Sequence, residues 1–231
     1  MRAALLASAF ALLAGCGDSH AQQGQRSFQV GAFDRINLAG SPDVVVAVGG
    51  QPSVRAEGDA DAIGRLEIAV VDGELRIGMR PGSGFWGGHR GVTIHVTVPA
   101  LQAASIEGSG DIRIDRVEGT RFAGRIGGSG DLDVTALRVG EASFSVRGSG
   151  DISAAGAAPR ATLNVAGSGR LALGGFEAGD ATISLAGSGD IALRATRTAA
   201  IQLDGSGDVA ISGPARCTIA KSGSGDVRCG G

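Results

Sequence analysis

The sequence predicts an all-β chain wound as a single-stranded, right-handed parallel β-helix, and three observations predict it. Gly-Ser-Gly-Asp begins at Gly108, Gly128, Gly148, Gly187, Gly205 and Gly223, with Gly-Ser-Gly-Arg at Gly167, so one motif recurs every 18 to 20 residues. Seven copies at so narrow a period are a solenoid signature. Apolar residues flank each copy at alternate positions: Phe144/Val146, Leu163/Val165, Ile183/Leu185 and Ile201/Leu203 before it, and Ile112/Ile114, Leu132/Val134, Leu171/Leu173, Ile191/Leu193 and Val209/Ile211 after it. Strict alternation gives two short strands per repeat with one face inward, joined at the corner, and excludes a helix. Finally, 41 of the 231 residues are Gly and 3% are aromatic, so thin layers of Val, Ile, Leu and Ala are expected rather than a ring-filled centre. An apolar share of 43% is enough for a packed core. The hand follows the rule for parallel crossovers.

Taken from the N-terminus, Arg2 precedes an apolar stretch, residues 3–14, too short to span a bilayer as a helix. It ends in Leu13-Ala14-Gly15-Cys16, which resembles the lipobox of bacterial lipoproteins. That resemblance implies a signal peptide over residues 1–15 and a lipidated Cys16; an ordinary signal peptide with a chance cysteine is the alternative. Gly17, in place of the Asp that retains many lipoproteins at the inner membrane, implies the outer membrane of a Gram-negative bacterium and leaves its periplasmic or surface face open. Residues 16–26 are polar and patternless, as a flexible tether would be.

The remaining chain, 27–231, is expected to form one domain. Within 27–100, strands are predicted at 28–38, 44–48, 53–57, 66–71, 75–79 and 92–98, with a hairpin at Asp72-Gly73 and Pro99 as the junction. These are read as irregular rungs that cap an otherwise open solenoid end. Residues 101–231 form about seven regular rungs, and Gly40-Ser41-Pro42-Asp43 is a degenerate upstream relative of their corner. A sharp corner repeated in register needs positive φ or a crowded backbone, which Gly accepts, and its serines can share hydroxyl hydrogen bonds along the stack.

With Cys16 committed to lipid, Cys217 and Cys229 form an even pair, read as a disulfide in an oxidising compartment. Both have inward parity in the last rung. Two reduced thiols acting as apolar fillers are the alternative. His20, His89 and His95 lie too far away in sequence to make a zinc pattern with them.

Lipobox, β-rich segment ending in Val98-Pro99-Ala100-Leu101, serial Gly-Ser-Gly-Asp corners and the closing run from Cys217 to Cys229 together resemble the putative auto-transporter adhesin family, the head GIN domain proteins. The resemblance covers roughly residues 28–230. It implies a β-helix in the bacterial envelope; the family is a domain of unknown function, and the word adhesin in its name is an inference from shape.

The corner carboxylates Asp111, Asp131, Asp151, Asp190, Asp208 and Asp226 would stack one rung apart, repelling by about 0.9 kcal/mol per neighbour at a dielectric of 80 and about 3.5 at 20. Relief is expected from backbone N–H groups of each Asp's own turn, with Arg170 neutralising the middle between Asp151 and Asp190. A row of Ca²⁺ ions is the alternative, although the calcium nonapeptide has a different Gly and Asp spacing. No metal or cofactor is expected. An enzyme is not expected either: the Asp residues repeat instead of clustering, every corner Ser is repeated, no nucleophile elbow occurs, and Tyr is absent. A polysaccharide-active β-helix stands as the enzymatic alternative. Balanced charge, 21 Lys and Arg against 23 Asp and Glu, excludes a nucleic-acid footprint.

Phe85 and Trp86, in a Gly-rich loop at 81–90, are candidate contacts, read either as a lid over the solenoid end or as an exposed tip. His95 falls on the polar parity of its strand. The function expected is an envelope-anchored, non-enzymatic binding surface, attached to the membrane through lipid, whose ligand is an unknown protein or glycan. A structural or stress-related envelope partner is the alternative.

Overall fold

The computed structural model describes residues 23–80 and 91–230. Its elements in chain order are β1 (Gln23–Phe28), β2 (Arg35–Gly40), β3 (Asp43–Val48), β4 (Ser53–Asp59), α1 (Ala60–Gly64), β5 (Leu66–Val71), β6 (Glu74–Met79), β7 (Val92–Val98), β8 (Ala103–Gly108), β9 (Ile112–Ile114), β10 (Val117–Gly128), β11 (Leu132–Gly148), β12 (Asp151–Gly167), β13 (Arg170–Gly187), β14 (Asp190–Gly205), β15 (Asp208–Ser212), β16 (Arg216–Ser222) and β17 (Val227–Cys229). The described strands join one continuous sheet wound as a solenoid of about 6 turns.

Each turn has three faces, because alternation and Gly corners break the rung at fixed places. One face, called A, ends at the first Gly of the corner and stacks β2, β8 and the second halves of β10 to β14, then β16. Face B follows the corner and stacks β3, β9, the first segments of β11 to β14, β15 and β17. The third face joins B back to A and begins at Val117, paired with Leu137 above it. The alternating apolar pairs named from sequence all point inward: Leu163, Leu171 and Leu185 are 0% exposed and Ile211 is 3% exposed.

The centre departs from the expected ring-free filling. Phe122, Phe144 and Phe176 are fully buried and meet edge to face, with centroids 6.2 and 6.1 Å apart. Gly124 makes the room. It lies opposite Phe144, and a Cβ there would be 2.9 Å from that ring and 2.7 Å from Leu132. Composition counts rings and cannot register that three of them share one axis.

The N-terminal rungs are interleaved rather than sequential. β2 and β3 form a rung around Gly40 that is sandwiched between β8/β9 on one side and β6/β7 on the other. Beyond that rung the pairing turns antiparallel: β5 on β6, β4 on β7 and β1 on β4. This antiparallel layer forms the irregular N-terminal part of the solenoid. The turn between β5 and β6 has φ of 52° at Asp72 and 76° at Gly73, the hairpin geometry that the dipeptide predicts.

Three expectations are corrected here. Residues 23–26, placed in the tether, belong to β1, because pairing with β4 satisfies their backbone and Phe28 packs on the core. The single strand at 28–38 is two strands divided after Phe28. α1 was not anticipated; the Asp59 carboxylate accepts from the N–H of Ala62 at 3.0 Å and starts it.

Candidate functional site

The corners stack in register from Gly40 through Gly108, Gly128, Gly148, Gly167, Gly187 and Gly205. The carbonyls of Gly40, Gly108, Gly128, Gly148 and Gly187 each accept two N–H groups, from the Ser and second Gly of the next corner, at 2.9 to 3.2 Å. The two glycines of a corner answer different demands. Gly148 has φ of 129°, whereas Gly150 does not adopt a left-handed φ and is held to Gly because a Cβ would overlap the carbonyl oxygen of Gly130.

The Asp column is relieved in a way that differs from the expectation. Five of the six carboxylates accept not from their own turn but from the next rung: the Asp131 N–H donates to Asp111 Oδ1 at 3.0 Å, Asp151 to Asp131 at 3.0 Å, Arg170 to Asp151 at 2.9 Å, Asp208 to Asp190 at 3.4 Å, and Asp226 to Asp208 at 2.9 Å. Rung spacing places the next amide over the carboxylate, so that the repeat itself supplies the donor. The Arg170 guanidinium stands 3.6 Å from Asp151 and 3.8 Å from Asp190, between the two carboxylates as read from sequence. Serine hydroxyls pair only at the ends of the column, Ser109 with Ser41 and Ser206 with Ser224. Among the described residues no group of three or more His, Cys, Asp or Glu could hold a metal ion.

Cys217 and Cys229 form a disulfide with Cα atoms 6.5 Å apart. They occupy inward register positions, opposite Ala199 and Ile211. Among the described residues no further rung covers them, and Cys217 is half-buried and Cys229 exposed. His95 points outward, 39% exposed, and shares a 2.9 Å hydrogen bond with Glu57; this contact, aided by Arg55, holds the Glu57 carboxyl below its ordinary range.

The outward faces differ in chemistry. On the third face two charge pairs form: Arg194 meets Glu177 at 3.0 Å, and Arg197 meets Asp180 at 2.6 Å while donating to the Pro159 carbonyl at 3.1 Å. Arg197, then Thr198, hold the Asp180 carboxyl below the usual range. Face B presents Ser153, Ala172, Ala192 and Ala210 in one row. Face A carries a grid of hydrogen-bonding groups, with Ser143, Thr162 and Thr182 in one column and Ser145, Asn164 and Ser184 in the next. None of these six side chains has a hydrogen-bond partner among the described residues. They recur at about 4.8 Å along the stack and, two residues apart on each strand, about 6.6 Å across it. Sequence reading passed over this grid because it treated outward residues only as the polar half of an alternation.

A second feature not foreseen is an open cleft of about 480 Å³ between the end of β3 and the start of the third face, lined by Val48, Gly49, Thr97, Pro99, Asp115 and Glu118. Asp115 braces it by accepting from the Val48 N–H at 2.9 Å. Cys16, Phe85 and Trp86 lie outside the described residues. No described helix is long and apolar enough to cross a membrane.

A family model described as putative auto-transporter adhesin, head GIN domain, matches residues 32–215. Among solved structures, a putative adhesin from Bacteroides fragilis NCTC 9343 is similar at a TM-score of 0.84 and 23% identity, over 89% of this chain and 96% of that one. A putative lipid binding protein from Parabacteroides distasonis ATCC 8503 matches at 0.69 and 23%, over 89% and 95%. A putative adhesin from Parabacteroides merdae ATCC 43184 matches at 0.67 and 16%, over 89% and 95%. No curated protein matches the chain.

Proposed function

The chain belongs to the putative auto-transporter adhesin, head GIN domain family, and on that premise we propose that it is a non-enzymatic binding module, lipid-anchored in the cell envelope through Cys16, that uses face A to hold a hydroxyl-rich ligand. The observation that carries this reading is the grid of Ser143, Ser145, Thr162, Asn164, Thr182 and Ser184, whose donors and acceptors no other group in the described protein uses. A hydroxyl both donates and accepts, and an amide does so in fixed geometry. A flat array of them at regular spacing suits an extended glycan better than a compact small molecule, and many modest contacts add up only when the partner is itself repetitive. The corner carboxylates support the non-enzymatic part, since Asp111, Asp131, Asp151 and Asp208 each accept an amide of the next rung. Gly17 after Cys16 favours the outer membrane as its address.

The test is binding of the full chain to an array of bacterial envelope and host glycans, beside a variant with Asn164→Glu and Ser184→Glu and a control with Ala192→Glu on face B. Saturable binding lost in the first variant and kept in the control is expected. Binding unchanged in the face A variant contradicts the assignment, and capture of an envelope protein without any glycan supports the alternative envelope-partner role.

A further inference from the structure

The terminal rung is built unlike those below it. Among the described residues it has face A (β16), a corner and face B (β17), but no third-face strand, and β17 pairs with β15 over three residues, Val227 to Cys229. Its inward positions are Cys217, Ile219, Lys221, Val227 and Cys229, where the rung beneath has Ala199, Ile201, Leu203, Val209 and Ile211. Those lower residues are at most 3% exposed, while Ile219 is 47% exposed and Lys221 is in solvent. Apolar packing therefore does little to hold the last rung. The disulfide joins the start of β16 to the end of β17, the two points that a third-face strand links in the rungs below, and so closes the rung covalently in place of a strand.

We propose that the Cys217–Cys229 bond is a redox latch, with Cys229 as the site of thiol–disulfide exchange and the terminal rung as the element it releases. Cys229 is the exposed member of the pair and takes the attack, and half-buried Cys217 is the leaving group. One thiolate of a dithiol reductant attacks Cys229 Sγ, the disulfide breaks, and Cys217 departs as a thiolate that takes up a proton. The second thiol of the reductant then attacks the mixed disulfide and frees Cys229, which is protonated in turn. Two electrons and two protons pass to the cysteine pair, and the dithiol becomes a disulfide. Released, β16 and β17 are left with their backbone ladders and the corner bonds of Ser224 to Ser206 and Asp226 to Asp208; as these open, the rung swings away from β14 and β15 and uncovers Ile201, Leu203, Val209 and Ile211.

The experiment treats the folded, oxidised full chain with dithiothreitol at neutral pH without denaturant, maps alkylation of Cys217 and Cys229, and follows amide hydrogen exchange. Both cysteines are expected to alkylate under native conditions, with exchange across 216–229 at least tenfold faster and exchange across 151–187 unchanged. Cys217→Ser with Cys229→Ser should exchange like the reduced protein whether or not reductant is present. The latch is overturned if the bond resists reduction until the chain unfolds, if 216–229 stay protected after reduction, or if protection falls throughout the stack. Native reduction of the wild-type chain decides the matter even where the double variant does not fold.

Discussion

Gly148 and Gly150 stand two residues apart in one corner and are confined to glycine for different reasons: φ at the first, contact with the preceding rung at the second. Ser149 between them is exposed and touches neither constraint. Gly150→Val is therefore expected to cost about 3 kcal/mol or more, since the displaced backbone disturbs the rung beneath, and Ser149→Ala under about 1 kcal/mol. Equal melting shifts for the two would contradict the stacked corner. Asp180 carries a pH signature. Its carboxyl is held low by Arg197 and Thr198, so its stabilisation is complete above the ordinary Asp range and disappears as pH falls through the lowered folded value. Asp180→Asn should melt slightly below wild type at pH 7, and the gap should close on acidification. The effect is small, because Asp180 and Arg197 are both exposed to solvent. Thermal scans at pH 7 and pH 3 check it.

Among the elements, the face A strands of β10 to β14 owe their inward register to alternation, which a one-residue slip would invert. That is why those strands were legible in the sequence: period two, period near twenty and Gly punctuation all agree from Ile106 onward. The N-terminal third was legible as strands but not as an order. β2 and β3 pair with β6, β7, β8 and β9 at once, and nothing local in a strand specifies a partner that enters from both sides. α1 escaped because five residues are too few for a helical period, although Asp59 was a visible cap. Within β11, Phe144 is the element's anchor, touching Phe122 and Phe176 across the core. Phe144→Ala is expected to cost about 3–5 kcal/mol, measured by chemical denaturation. A cost near 1 kcal/mol would mean that the three rings are not a shared file.

At the scale of the whole molecule, stacked rungs contact only their neighbours, so the body acts as a rod whose interior is secure and whose ends need special closure. Antiparallel strands close one end and a disulfide the other. Of the candidate site, the corner ladder and the cysteine pair could be read from spacing, but the face A grid could not. Its meaning depends on the absence of partners for six side chains among the described residues, which only the folded arrangement shows. The lipid anchor belongs to this scale too. Cys16→Ser is expected to move the chain from the membrane to a soluble fraction and to abolish incorporation of labelled palmitate; retention at the membrane would remove the anchor from the account. The most direct measurement of the central claim is photo-crosslinking in the native envelope, with a benzophenone side chain placed at Ala166, exposed on face A beside the grid, or at Ala192 on face B. The account predicts adducts from position 166 that free competing glycan suppresses, and none from position 192. Adducts from position 192 alone, or none from either, would contradict it.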